Sequence, residues 1–186
     1  MKKIAFLAAA AAAVLATPAM AQNVTGTINL TGSVGAKCSV TPGDGSTFTD
    51  TVAFGELAKT DGTVRTDLAT AFGTKSFTVK CNTGTPKVAV DATALATAAT
   101  ASTGYDNSID FQASVAVTAV GPTNNGPFLN DSSAAPLAAT AVGSALANSA
   151  NNVQITTSNY RTNNATDLLV ASPTYTGSIV VVISPT

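Results

Sequence analysis

The side chains that could carry chemistry are few in this chain. Its 186 residues include no His, no Trp, two Cys, 9 Lys and Arg, and 10 Asp and Glu. Without His, neither a Ser-His-Asp nor a Cys-His catalytic site can form, and the commonest metal ligand is missing. Asp44 and Asp50 flank a glycine-rich turn, but their spacing does not fit a calcium-binding loop. We therefore expect a protein that is not an enzyme, with no metal, no cofactor and no small-molecule substrate.

Net charge and hydrophobic content exclude further classes of protein. The formal net charge is −1, so the chain lacks the excess of Lys and Arg that nucleic-acid binding needs. Hydrophobic residues make up 45% of the chain, which favours a folded protein over a disordered one. We expect no nucleic-acid partner.

The first 21 residues have the pattern of a secretory signal peptide. Lys2 and Lys3 precede an apolar run from Ile4 to Ala16, and residues 19–21 (AMA) form a small-x-small cleavage pattern. The run is too short for a transmembrane helix, which needs ~20 apolar residues. The sequence therefore predicts cleavage after Ala21, export and a mature chain of residues 22–186.

Export would determine the oxidation state of the two cysteines. Cys38 and Cys81 would meet an oxidising compartment, where a pair of cysteines normally forms a disulfide. The alternative is a reactive or metal-binding thiol pair, but the chain has neither His nor a C-x-x-C motif. The disulfide is the favoured interpretation.

Alternating residues predict an all-β protein. From Asn23 to Val40 the even positions are apolar, Gly or Cys, and the odd positions are polar or Gly, which is the pattern of a strand with one buried face. Shorter alternating stretches predict strands near 51–57, 77–81, 88–90, 108–118, 153–155, 168–171 and 175–183. Such strands, separated by turn residues, are typical of a sandwich. Residues 92–107 and 121–150 are predicted loops, the second with room for a helical turn within 137–148.

The two ends of the mature chain allow two interpretations. The N-terminal strand could lie in the sandwich of its own domain. It could instead protrude and complete an open sheet in a neighbouring subunit, which is strand addition and would cover an exposed sheet edge. Periodicity alone does not separate these interpretations.

Four segments resemble chaperone–usher pilins of the spore coat protein U-like (archaic) branch. They are residues 35–40 (GAKCSV), 52–57 (VAFGEL), 77–86 (FTVKCNTGTP) and 175–183 (YTGSIVVVI). The resemblance implies an immunoglobulin-like sandwich that is incomplete and is completed by a donor strand from a neighbouring subunit. It implies three parts: a signal peptide at 1–21, a donor extension at 22–34 and a pilin domain at 35–186.

The resemblance also implies roles for individual residues. The donor strand would present Val24, Gly26, Ile28, Leu30 and Gly32, while Ile179, Val181 and Ile183 would border the groove and face the chaperone. The implied partners are identical or related pilin subunits, a periplasmic chaperone and an outer-membrane usher. The implied function is that of a structural subunit, in the shaft of a surface pilus that serves adhesion or biofilm formation. The alternative is a self-complemented secreted coat protein or a carbohydrate-binding β-sandwich.

Overall fold

The computed structural model describes residues 27–41, 45–121 and 125–185. The chain divides into two units, Met1–Val34 and Gly35–Thr186. Within the first unit, residues 27–34 carry no helix or strand. The predicted signal peptide, together with Val24 and Gly26, lies outside the described residues.

The regular secondary structure described in the second unit is almost all strand. The strands are β1 (Cys38–Thr41), β2 (Lys75–Cys81), β3 (Lys87–Ala96), β4 (Tyr105–Asp106), β5 (Ser108–Val117), β6 (Phe128–Asp131), β7 (Leu137–Ala141), β8 (Val153–Arg161), β9 (Leu168–Leu169) and β10 (Thr176–Ser184). One short helix, α1 (Leu68–Phe72), precedes β2. The described residues include no helix that is long and apolar enough to cross a membrane.

The main strands form an array that folds over into two layers. Its order is β1-β2-β8-β5-β3-β10, with β6 paired to β5 and β7 paired to β3. β3 meets β5 only at Leu95–Ile109 and Ala96–Ser108, whereas it pairs with β10 along nearly its whole length. One layer therefore contains β1, β2, β8, β5 and β6, and the other contains β7, β3 and β10. Strands β4 and β9 form a separate parallel pair.

Alternating side chains fill the space between the layers. β5 buries every second residue from Ile109 to Val117, and β8 buries Val153 and Ile155. These side chains join Val88 and Val90 of β3 in one hydrophobic cluster. The expected all-β sandwich is thus confirmed at the level of fold class.

Several local predictions were wrong. Residues 51–57 carry no strand, and the N-terminal alternation gives a strand only at Cys38–Thr41 within the described part of 23–40. The predicted loop at 92–107 begins later, because β3 extends to Ala96. The predicted loop at 121–150 contains β6 and β7, and β7 occupies the place suggested for a helical turn. Helix α1 was not predicted.

Candidate functional site: an apolar groove beside the last strand

Strand β10 lies at an edge of the fold. Among the described strands it pairs with β3 alone, so its other edge has no strand neighbour. The predicted groove residues Ile179, Val181 and Ile183 are half-buried and pack against the core. Val180 and Val182 face the opposite way and are 52% and 53% exposed. The alternation therefore directs one face of this edge strand inward.

A groove of about 1360 Å³ lies beside this edge. Its floor consists of core residues from four strands: Val79, Leu95, Phe111 and Ile155. Residues 169–183 form one rim, and residues 46–58 with part of β1 form the other. Small-molecule pockets usually enclose ~300–1,000 Å³. The volume and the elongated rims suit an extended peptide segment better than a compact ligand.

Aromatic side chains line part of the groove. The ring centroid of Phe54 lies 5.8 Å from that of Tyr160 and 6.5 Å from that of Phe72. The ring of Tyr160 in turn stacks on that of Phe111, with a centroid distance of 5.5 Å. Burial raises the pKa of Tyr160, whose hydroxyl donates to Thr157 Oγ1 at 2.9 Å. The cluster presents mainly apolar ring surface to the groove, a surface that favours apolar side chains.

The rim opposite β10 is held by side chains. Phe48 packs on Phe77 with ring centroids 4.1 Å apart. Lys75 Nζ lies 3.2 Å from Asp50 Oδ2, and hydrogen bonds from Lys75 and from the Thr51 N–H lower the pKa of Asp50. These contacts fix a chain segment that carries no assigned strand.

The disulfide joins β1, which forms part of this rim, to β2. Cys38 and Cys81 are bonded with an S–S distance of 2.01 Å, as predicted, and they face each other directly in the β1–β2 register. Cys38 also lines the groove. The bond therefore fastens the short strand β1, which pairs only with β2 among the described strands, at the groove's edge.

A buried amide joins the two layers of the sandwich. Asn130 Oδ1 accepts a hydrogen bond from the Ala92 N–H at 2.7 Å, and its Nδ2 donates to the Ala135 carbonyl at 2.8 Å. Asn130 belongs to β6 in one layer and Ala92 to β3 in the other. The signal in the sequence was the alternation through 128–131, which places Asn130 on the same side as Phe128.

A second buried amide supports the groove floor. Asn152 Oδ1 accepts from the Val79 N–H at 2.8 Å, while Nδ2 donates to the carbonyls of Val79 at 2.6 Å and Ala147 at 2.8 Å. Val79 thus gains the bonds that a neighbouring strand would supply. No sequence pattern singled out Asn152, because Val79, which makes two of its three hydrogen bonds, is 73 residues away.

The described part of the N-terminal extension exposes its apolar residues. Ile28 is 86% exposed and Leu30 is 90% exposed, with Val34 at 85%. An ideal Cβ built at Gly32 would meet no atom within 4 Å. Isolated exposed apolar residues are common, but three large ones at even positions of an eight-residue stretch form one apolar face.

Titratable groups do not converge into a reactive cluster in this part of the molecule. The described residues contain no group of three or more His, Cys, Asp or Glu placed to hold a metal ion. The groove lining is dominated by aliphatic and aromatic residues, with Asp50, Glu56 and Lys75 at its borders. The site therefore consists of apolar surface beside the edge of β10 that has no described strand neighbour.

Comparison of the chain with protein-family models, with curated proteins and with solved structures finds no match. The groove, the free edge of β10 and the exposed N-terminal face are thus the features from which a function can be argued.

Proposed function

We propose that this chain is a structural subunit of a surface pilus, assembled by exchange of strands between subunits through a chaperone–usher pathway. In each subunit the groove beside β10 receives the N-terminal extension of the next. The observation that carries the proposal is the apolar groove alongside a nine-residue edge strand, which has one neighbour among the strands that the structure describes.

Strand order supports an incomplete immunoglobulin-like sandwich. A seven-stranded immunoglobulin constant-type domain has layers ordered A-B-E-D and C-F-G. Here β1-β2-β8-β5 correspond to A-B-E-D, and β3-β10 correspond to C-F. The strand without a counterpart is G, whose place is next to F, on the free edge of β10. This is the edge that borders the groove.

The extension has the features of the missing strand. Residues 23–33 of the extension alternate between polar residues and apolar residues or Gly, and a strand with this alternation can direct one face into a groove. Burying a large aliphatic side chain contributes ~1.5–3 kcal/mol, so Val24, Ile28 and Leu30 together would contribute about 5–9 kcal/mol. Main-chain hydrogen bonds to β10 would add to this.

The resemblance of four segments to chaperone–usher pilins supplies the partners in the proposal. A periplasmic chaperone would cover the groove before assembly, and an outer-membrane usher would guide the exchange. The single sandwich suits a shaft subunit, and the fibre would serve adhesion or biofilm formation.

The proposal is tested by the heat sensitivity of the assembled protein. Material from the surface of the native cells is run on an SDS gel with and without boiling. We expect an unboiled ladder of multimers that collapses on boiling to one band at the mass of the mature chain. Leu30→Asp should abolish the ladder, because it places a carboxylate in an apolar groove.

Thr31→Asp is the matched control for this test. It adds the same charge one residue further along, on the opposite face of the extension, and the ladder should persist. A single unboiled monomer band from unaltered protein would contradict the proposal and favour the self-complemented coat or binding protein. A ladder that survives Leu30→Asp would show the donor assignment to be wrong.

A further inference from the structure

The backbone just before β1 is held by the residue that follows β2. Asn82 Oδ1 accepts a hydrogen bond from the Lys37 N–H at 2.7 Å, and Asn82 Nδ2 donates to the Gly35 carbonyl at 2.8 Å. The Asn82 N–H in turn donates to the Lys37 carbonyl at 3.1 Å. These three hydrogen bonds tie residues 35–37 to Asn82, and we call them the Asn82 clamp.

The clamp continues the β1–β2 ladder beyond the ends of the two strands. Cys38 and Cys81 are directly opposite, with Cα atoms 4.1 Å apart, close to the spacing of a pair without mutual hydrogen bonds. The next pair, Lys37 and Asn82, is therefore one in which two hydrogen bonds are exchanged. The main chain makes one of them, and Asn82 Oδ1 takes the place of the Asn82 carbonyl in the other. The amide nitrogen then reaches Gly35, because the chain bends at Asn82 and the strand ends.

The chemistry of the asparagine side chain suits this position. A short side-chain amide offers both an acceptor and a donor, and the clamp uses one of each. Asn82 is exposed, so core packing does not require an amide there. Its contacts instead hold the main chain at the point where the N-terminal extension begins.

We propose that Asn82 is a positioning residue that fixes the root of the extension and limits the freedom of the joint between consecutive subunits. The inference rests on the proposed function, because it takes residues 22–33 as the strand that is donated to another copy of this chain. With the clamp closed, Val34 is the one residue between that strand and the clamped segment. The division of the chain into two units falls at the same point, between Val34 and Gly35.

Opening the clamp would lengthen the joint by a defined amount. Cys38 is bonded to Cys81, so the release of the chain stops before Cys38. The free stretch would grow from residue 34 alone to residues 34–37. At ~3.5 Å for each extended residue, its reach would rise from ~3.5 Å to ~14 Å. Each released residue also adds two rotatable backbone dihedrals.

Amide exchange and ¹⁵N relaxation, both measured by NMR, test the clamp itself. The mature chain carries Leu30→Asp, which changes an exposed side chain and prevents polymerisation under the proposed function. In Asn82→Ala, the Lys37 amide should exchange about two- to tenfold faster, the range that one net hydrogen bond confers. Residues 35–37 should also lose backbone order. Thr85→Ala is the control, because Thr85 is exposed in the same bend, and it should change neither quantity.

Asn82→Asp separates the two bonds of the side chain. Its carboxylate can still accept from the Lys37 N–H, but it has no donor for the Gly35 carbonyl. Lys37 should therefore stay protected while Gly35 and Ala36 become mobile. A merely destabilised domain would instead lose protection at all of its amides. Equal exchange at Lys37 in the Asn82→Ala and unaltered side chains would overturn the clamp, whatever the function of the chain.

Electron microscopy of fibres tests the role of the clamp in the joint. Fibres of the unaltered protein, of Asn82→Ala and of Thr85→Ala are released from cells, and the distance between consecutive subunits is measured. Asn82→Ala should keep the heat-sensitive ladder, because Asn82 is not among the described residues that line the groove. The spread of distances should about double, since the r.m.s. length of a flexible linker grows as the square root of its residue number. Thr85→Ala should match the unaltered protein.

The outcomes separate this inference from the proposed function. If Asn82→Ala opens the clamp in the NMR experiment but leaves the spread of distances unchanged, the role in the joint is overturned and strand exchange still stands. If the unaltered protein forms no fibres, the proposed function fails and the role in the joint fails with it.

Discussion

The buried amide of Asn152 gives the sharpest test of how the groove floor is built. Its side chain is 1% exposed and bonds to both backbone groups of Val79 and to the Ala147 carbonyl. We predict that Asn152→Ala strongly destabilises the domain. The substitution leaves the N–H and the C=O of Val79 buried without their partner, in the strand whose side chain forms part of the groove floor.

The magnitude follows from the number of groups left unpaired. An unsatisfied buried donor or acceptor costs ~1–3 kcal/mol. With two such groups at Val79 and a third, less buried, at Ala147, we expect a loss of about 3 kcal/mol in the free energy of unfolding. That is a large share of the ~5–15 kcal/mol typical of a domain.

Urea unfolding of the mature chain, with the disulfide intact, measures this loss. For a slope near 2 kcal/mol per molar urea, the midpoint should fall by ~1–2 M. Asn148→Ala, in the same loop but exposed, should change stability by less than about 0.5 kcal/mol. Asn152→Asp should be no more stable than the alanine variant, because its carboxylate would face two carbonyl oxygens. A loss below 1 kcal/mol for Asn152→Ala would refute the reasoning.

Two further predictions concern stability. An ideal Cβ at Gly177 would lie 2.8 Å from the Thr93 carbonyl oxygen and 2.9 Å from that of Ala94, so Gly177→Ala should cost ~1–3 kcal/mol by forcing β10 away from β3. Thermal unfolding measures this loss of stability. The control is Gly84→Ala, because a Cβ at Gly84 would meet no atom within 4 Å. Equal melting temperatures for the two variants would contradict the predicted clash at Gly177. Separately, hydrogen bonds from the Arg161 guanidinium and, to a smaller extent, from Ser133 lower the pKa of Asp131 to about 2 from the ordinary 3.8. Because the folded-state pKa is the lower one, the ion pair stabilises fully above pH 4 and loses its effect as the pH falls towards 2. Arg161 is 41% exposed, so solvent screening reduces the contribution to about 1 kcal/mol. Urea unfolding is therefore measured from pH 6 to pH 2 for the unaltered chain and for Asp131→Asn. The difference in stability between the two should shrink as the pH falls. A difference that stays constant would show that it does not come from the Asp131–Arg161 ion pair.

The sequence predicted the elements whose alternation is strong. The predicted strand at 108–118 matches β5 (Ser108–Val117), and the closing alternation matches β10 (Thr176–Ser184). In both strands large apolar residues recur at every second position, so the sequence alone predicts which face packs against the core. The disulfide could be predicted because the sequence holds just two cysteines and begins with a predicted signal peptide.

The strands that the sequence did not predict have weaker alternation. Strands β6 and β7 lie in a stretch rich in Ala, Asn and Ser, where small and polar residues conceal the buried face. Asn130 occupies a buried position there because its amide pairs with two backbone groups. The stretch at 51–57 alternates like a strand but has no strand partner among the described residues. Side-chain alternation predicts which face packs, whereas strand assignment also requires a backbone partner.

The same distinction applies to the N-terminal stretch. Its alternation predicts extended structure from Asn23 to Val40, but within the described part of the stretch the strand pairing with β2 begins at Cys38. Residues 27–37 are exposed, and Ile28 and Leu30 present an apolar face. The strand-exchange proposal accounts for this face by placing it in another copy.

Cysteine trapping between subunits tests that central claim most directly. Cells would co-express an acceptor chain carrying Val181→Cys and a donor chain carrying one cysteine at a position from 27 to 32. Fibres would then be oxidised, denatured and run on a non-reducing gel. Residues on one face of adjacent strands have Cβ atoms ~4.5–5.5 Å apart when directly opposite, whereas neighbours along the strand point away.

The proposal predicts disulfide-linked dimers with donor cysteines at even positions, 28, 30 or 32, strongest at the one opposite Val181, and none at 27, 29 or 31. Chains that carry both cysteines should cross-link between subunits and not within one. Cross-links confined to single chains, or dimers without the even–odd pattern, would contradict strand exchange.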